Sequence, residues 1–294
     1  MRRAVIDLGT NTFNLLIADT QTRQVLFQTK EGVALGMGGI NEGRISEAAM
    51  LRAFDTLHRF QVLCQTWQVQ EIQAIGTSAL RDATNAQELL YKVQNELHFT
   101  IEIITGQREA ALIYKGVRLT HDFQHPALIM DIGGGSTEFI AANPEGPYLA
   151  QSFDIGVSRL YQHFELQDPY TSADIAMVEA YLEARCGAFF QQDLPDILIG
   201  SSGSFETFYE LMAQQIFEAQ GKAVWVDTKQ FEQMLEQIIR STQAERDQNP
   251  HIIAIRKRMA PLAAIKTRWV LRAAHIQHIF ISPYSLKEGV LFGL

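Results

Sequence analysis

AVIDLGTNTFNLLIA, residues 4–18, decides the fold. An apolar, β-branched run ends in Asp7-Leu8-Gly9, a polar turn follows at Thr10-Asn11-Thr12, and a second apolar run opens at Phe13. That order of residue types predicts strand, tight turn, strand. The same form returns at Asp131-Ile132-Gly133-Gly134-Gly135-Ser136-Thr137-Glu138, 124 positions on (131 minus 7), between apolar runs at 127–132 and 139–142. A repeat at that spacing predicts two similar lobes. They divide into 1–120 and 121–294, near Thr120-His121-Asp122, with residues 283–294 able to pack back on the first lobe.

Working outward, strand and helix patterns interleave, so the class is α/β. Apolar spacing predicts helices over 46–66, capped by Ser46, and from Asn85, where Glu88 three residues on completes a capping-box pattern. Further helices are expected from Thr105 to about 119, over 172–190, 228–240 and 252–274, and from Lys287. Short strands are expected at 25–27, 72–75, 101–104, 197–199 and 279–281, with a glycine-serine loop at 200–204.

The bulk properties agree. A chain of 294 residues with 47% hydrophobic and 20% charged content suits two ordinary folded units, not a disordered or disulfide-framed chain. Its net charge of −8, from 25 basic and 33 acidic residues, argues against a dedicated nucleic-acid binder. Cys64 and Cys186 form no CxxC or Cys/His cluster, which predicts free thiols in a reducing compartment. Asp7 interrupts the apolar run after Met1-Arg2-Arg3, so no secretory signal is read. No stretch reaches the ~20 apolar residues of a membrane span. The expected location is cytoplasmic.

The two turns carry the first chemical signal. Small residues in a tight turn let backbone N–H groups converge on an anion, and glycine lets phosphate approach closely. The carboxylate just before each turn is placed to hold a hard cation beside that phosphate. Gly200, Ser201, Ser202 and Gly203 add a third loop of the same composition, and three such loops on one cleft would grip a chain of phosphates. Glu138 returns past the turn towards Asp131. The pair either flanks one Mg²⁺, or Glu138 is a plain strand-end glutamate. Arg81, in a polar loop after a strand, suits phosphoryl charge; an exposed helix-start arginine is the commoner case. Glu109 lies in the first turn of a helix that follows a strand, where sites of open α/β sheets form. It can take a proton from attacking water, although on chemistry alone the plainer role, complementing the helix dipole, comes first. Between Gln248 and Lys287 there is no acidic residue but seven basic ones, Arg256, Lys257, Arg258, Lys266, Arg268, Arg272 and Lys287. That stripe either guides a polyanion, faces solvent, or pairs with the acidic remainder.

Seven stretches together resemble the exopolyphosphatase and guanosine pentaphosphate phosphatase family. They are AVIDLGTNTFNLLIA (4–18), IGTSALRDATN (75–85), IITGQREAALIYKGV (103–117), LIMDIGGGSTEFI (128–140), FDIGVSRL (153–160), IGSSGSF (199–205) and ISPYSLKEGVLFGL (281–294), in the family's order. The match is to the short form, which lacks the helical C-terminal domains of long members. The resemblance implies two RNase-H-like lobes of the actin-like ATPase type, with the site in the cleft between them. It implies that Glu109 activates water, that Arg81 is the motif arginine, and that Asp131 and Glu138 hold Mg²⁺ (or Mn²⁺). Gly133, Gly134, Gly135 and Ser136, with Asp7, Gly9, Thr10 and Asn11, match its phosphate loops. Two positions depart from the family pattern. Ala111 stands where many members carry arginine, and 256–264 lacks an acidic residue after its arginine.

The expected reaction is Mg²⁺-assisted in-line attack of water on a terminal phosphate of polyphosphate or guanosine pentaphosphate. A homodimer is left open, and no nucleic-acid or membrane partner is expected. Two other classes stay in view: an ATP-dependent kinase of the same fold, and a non-catalytic alarmone-binding regulator.

Overall fold

The computed structural model describes residues 1–218 and 221–293. Two mixed sheets organise it. The first has the order β3-β2-β1-β4-β5, built from β1 (Arg2–Leu8), β2 (Thr12–Asp19), β3 (Gln24–Gly32), β4 (Glu71–Gly76) and β5 (Ile101–Ile103). β1 to β3 form antiparallel hairpins, β4 runs parallel to β1, and β5 parallel to β4. The second is ordered β10-β11-β9-β6-β7-β8, from β6 (Ala127–Ile132), β7 (Thr137–Asn143), β8 (Gly146–Phe153), β9 (Ile197–Ser201), β10 (Val224–Val226) and β11 (His278–Ile281). There β6 to β8 are antiparallel, β9 is parallel to β6, and β11 to β9; β10 adds an antiparallel edge. The same strand order and sense thus occur twice, an RNase-H-like unit repeated in the actin-like manner.

The inner strands β2, β6 and β7 read as near-continuous apolar runs because both sheet faces are covered there. Every residue of β6 is buried. Alternate residues point to opposite faces: Leu128, Met130 and Ile132 enter one cluster with the helices Ser172–Phe190 and Ala260–Ala273, while Ala127 and Ile129 enter another with Ile113 and Val117. Those last two belong to the helix Gly106–Arg118, which follows β5 of the first sheet but packs on β7 and β8 of the second. The reverse exchange occurs late in the chain. Leu291, on the helix Leu286–Phe292, covers Val5, Leu16 and Ala18 of the first sheet. The two exchanged helices cross in backbone contact at Gly116 and Gly289. A Cβ on Gly116 would lie 1.9 Å from the Ser285 carbonyl oxygen, and one on Gly289 1.8 Å from that of Leu112.

Three local expectations are corrected. Asn85 precedes the helix Ala86–Leu97 but makes no side-chain cap, because its amide is spent on the backbone N–H and C=O of Ile45. The loop expected at 200–204 does not form: β9 runs through Ser201 and the helix Ser202–Ala213 begins at the next residue. The helix expected over 252–274 begins at Ala260, since Pro261 lacks an N–H and is tolerated only in a first turn. β8 and the helix Val157–His163 went unread in the sequence.

Both cysteines are free and buried, and burial pushes each thiol up to about 12. No helix among the described residues is long and apolar enough to cross a membrane.

Gly289→Ala forces the exchanged helices apart. It should cost about 1–3 kcal/mol, the usual range for overpacking. The expected result is a lower urea midpoint with unchanged far-UV circular dichroism.

Candidate active site

The two predicted turns have the same hydrogen bond at equivalent positions. The Gly9 N–H donates to the Thr12 carbonyl at 3.2 Å, and the Gly133 N–H to that of Ser136 at 3.1 Å. They meet across the cleft so closely that a Cβ on Gly134 would lie 2.9 Å from Asn11 Cγ and Thr10 Cβ. Ser158 Oγ donates to Asn11 Oδ1 across the same seam. Arg159 bridges the lobes further along: Nε donates to the Gly135 carbonyl at 3.0 Å, Nη1 to that of Ile40 at 3.2 Å, and Nη2 to the Asp82 carboxylate. Nothing in the sequence marked Arg159 beyond its place in the stretch 153–160, because a bridge of this kind is made by tertiary distance alone.

The acidic groups follow the same symmetry. Asp7 stands directly across the hairpin from Asn14, whose Nδ2 donates to it at 3.0 Å, and Asp131 stands directly across from Glu138. Directly opposed residues share a sheet face. Asp131 is 6% exposed and accepts from Ser201 Oγ at 2.6 Å and from Ser285 Oγ. Burial still holds its pKa above the ordinary value, against those hydroxyls, Ser202 and the Lys287 charge. Burial likewise raises Asp7 to about 6, opposed by Lys287 and Asn14. Glu138 is 1% exposed, accepts from Ser152 Oγ at 2.7 Å, and is raised to about 7 by burial and by Asp131.

Glu109 lies in the first turn of its helix. Thr105 caps that helix, its hydroxyl accepting from the Arg108 N–H at 3.2 Å. The Glu109 carboxylate is buried and takes a hydrogen bond from Arg81 Nη1 at 2.9 Å. Burial and the Glu138 charge push it well above the usual carboxylate range, and the Arg81 pair does not offset them. Arg81 also donates to the Ile104 carbonyl at 3.2 Å and does not line the cleft; Glu109 does. The arginine therefore reaches the cleft through the glutamate it holds.

A model of the Ppx/GppA phosphatase family matches residues 16–294. The chain belongs to this family. Among solved structures it is similar to an exopolyphosphatase from Cytophaga hutchinsonii, 37% identical, with a TM-score of 0.95 over 99% of this chain and 97% of that one. Among curated relatives it is 31% identical to the guanosine-5'-triphosphate,3'-diphosphate pyrophosphatase of Aeromonas salmonicida, over 99% of this chain and 59% of that protein. It is 26% identical to exopolyphosphatase 1 of Mycobacterium bovis, over 99% of this chain and 87% of that protein. The chain thus spans about three fifths of the Aeromonas protein it matches.

The sixth stretch that matches the Ppx/GppA pattern, 199–205, which was expected to supply a third phosphate loop, is divided by the fold. Gly200 is a strand residue packed under Phe205, whose ring would lie 2.0 Å from a Cβ there, and it does not line the cleft. Ser201 is fully buried and serves Asp131. Ser202 and Gly203 do line the cleft. Gly203 seats an arginine: a Cβ would fall 1.6 Å from Arg256 Nη2. Arg256 donates to Thr207 Oγ1 at 2.9 Å and stands 3.8 Å from Glu206. The remaining basic residues do not form one stripe. Lys266 is wholly buried, donating to Thr137 Oγ1 at 2.8 Å and to the Ile155 carbonyl. Arg268 and Arg272 pair with Glu179. Lys287 joins Arg256 on the cleft wall.

The raised carboxylates tie stability to pH. Glu138 titrates near 4.3 in the unfolded chain and near 7 when folded. Its protonated form therefore adds stability that is full below about 4 and lost as pH rises through 7. Glu138→Gln removes that dependence. In EDTA the variant should gain on the parent by on the order of 2 kcal/mol between pH 5 and pH 8, measured by denaturant titration at each pH.

Proposed function

We propose that the protein is a phosphatase that removes terminal phosphates from inorganic polyphosphate by attack of water. The observation that carries this is Glu109: a buried carboxylate of raised pKa, held by Arg81, on the wall of a cleft between two phosphate-type turns. Full-length likeness to the Cytophaga exopolyphosphatase favours polyphosphate. Likeness to the Aeromonas pyrophosphatase supports guanosine pentaphosphate as a second substrate.

Each role follows from placement. Backbone N–H groups of Thr10 and Asn11 in one turn and of Gly134 to Ser136 in the other hold phosphate oxygens, where preorganised donors act without reorganisation; those of Gly9 and Gly133 are spent on closing the turns. Glu109 orients the water and takes its proton; its raised pKa brings it nearer the operating pH of a general base. Arg81 is a positioning residue that fixes the carboxylate and balances charge behind it. The closed seam at Ser158 and Arg159 excludes bulk water.

The donor set fits a hard divalent cation. Among the described residues no three acidic, histidine or cysteine side chains converge on one point. Mg²⁺ suits such a site because it keeps waters and takes phosphate oxygens alongside one or two carboxylates. Asp131 would hold Mg²⁺ or Mn²⁺, with Glu138 behind it, and the ion would neutralise charge on the phosphate oxygens. A kinase or a silent alarmone sensor is the weaker reading, because neither needs a buried base poised over the phosphate turns.

Glu109→Gln should lower phosphate release from polyphosphate by about 10²- to 10⁴-fold and leave polyphosphate binding within a few-fold of the parent. Release is to be followed with Mg²⁺ and with EDTA, on polyphosphate and guanosine pentaphosphate in parallel. Near-normal turnover in the variant would remove Glu109 from the role.

A further inference from the structure

At the end of the cleft away from Glu109 stands a cation cluster clasped by a single carboxylate. Lys30 Nζ on β3 donates to Glu206 Oε2 at 2.9 Å, and Arg256 Nη1 stands 3.8 Å from the same oxygen. Lys30 comes from the first lobe; Glu206 and Arg256 come from the second. All three line the cleft. Burial pushes the Glu206 carboxyl up, but Lys30, Arg256 and Lys287 together hold it below its ordinary value. A carboxylate ringed by three cations occupies the position of an anionic ligand group.

Strand register places this cluster relative to the chemistry. Glu102, Ile75, Asp7, Asn14 and Lys30 form one cross-strand row over β5, β4, β1, β2 and β3. With strands about 4.8 Å apart, Lys30 lies about 10 Å from Asp7 on one side. Arg81 and Glu109 follow β4 and β5 on the other side. The second sheet runs the same way, with Glu138 on β7 and Glu206 beyond β9 at the opposite side of β6. A phosphate chain with its reacting end at Glu109 therefore reaches Lys30 and Arg256 only if it is long.

We infer that Lys30 and Arg256 form a distal phosphate subsite which the Glu206 carboxylate fills in the free protein, so that Glu206 sets the preference for chain length. This rests on the phosphatase reading for its substrate. A long chain must displace Glu206 from both cations, whereas a short chain never meets it. Glu206 thereby weakens the hold on long chains, and Lys30 strengthens it.

The test is equilibrium binding in EDTA, where turnover is not required, of long-chain polyphosphate and of inorganic tripolyphosphate. Glu206→Gln should tighten long-chain binding roughly 3- to 10-fold, and Lys30→Gln should weaken it by a similar factor, on the scale of one partly screened ion pair. Tripolyphosphate binding should stay within about twofold for both. Two variants moving in the same direction, or changing both chain lengths equally, would reduce the pair to a lobe clasp and overturn the subsite. If Glu206→Gln folds poorly by thermal denaturation, Lys30→Gln alone decides, since an unchanged long-chain affinity is equally fatal. A protein that binds in this pattern yet releases no phosphate would sink the phosphatase reading and leave the subsite standing.

Discussion

The backbone contact between Gly116 and Gly289 is the constraint on which the rest of the molecule depends. The helix carrying Glu109 packs on the second sheet, and the helix carrying Lys287 packs on the first. Each lobe therefore delivers one functional side chain to the cleft through an element buried in the other lobe. Where these helices cross, there is no room for a side chain, so the crossing distance is fixed by main-chain atoms. That in turn fixes how the two turns meet. Cores are close-packed and yield little to added volume, so a shift at the crossing is transmitted to the cleft.

In the cleft and just behind it, where Glu138 lies, acidic groups outnumber what their surroundings can neutralise. Asp7, Asp131, Glu138 and Glu109 all have raised pKa values, and in each case burial is the leading cause. Burying ionisable groups costs stability, and such groups cluster where chemistry is done. Lys287, whose charge bears on both Asp7 and Asp131, is itself held by Glu288 at 2.9 Å. The fold thus tolerates an uncompensated negative patch beside turns built to receive anions. That pairing makes sense when a hard cation and a phosphate arrive together.

Much of this was legible in the sequence. The two turns and their offset gave the repeated lobe, because strand-turn-strand chemistry is local. Asp7, Asp131, Glu109 and the two turns singled out in the sequence all line the cleft. The helix expected over 172–190 matches Ser172–Phe190. What was not legible was of two kinds. Asn85 and the region 200–204 were misread because a local propensity yielded to a tertiary partner: the backbone of Ile45 for one, Phe205 for the other. The basic run from 256 to 287 stayed between three readings because charge order along the chain does not say which way a helix turns, and the structure divides it, with Arg268 and Arg272 pairing with acidic residues. Lys266 enters the core, Arg272 faces outward, and Arg256 enters the cleft. Lys30 and Glu206 left no mark, and Arg159 none beyond its place in the stretch 153–160, since the contacts that join the lobes, Lys30 to Glu206 and Arg159 to Ile40, span 176 and 119 residues.

The exchanged helices also bear on how the chain is made. Domains emerge from the ribosome in order, the N-terminal portion first. Here the face formed by Val5, Leu16 and Ala18 waits for Leu291, so the first sheet cannot close its core while the second lobe is being synthesised. The nascent first sheet must keep that apolar surface open until Leu291 has been made. It is then sealed by the helix Leu286–Phe292, which is made long after the strands it covers. Contacts of such long sequence separation form slowly, so the closing of this core is a late step of folding.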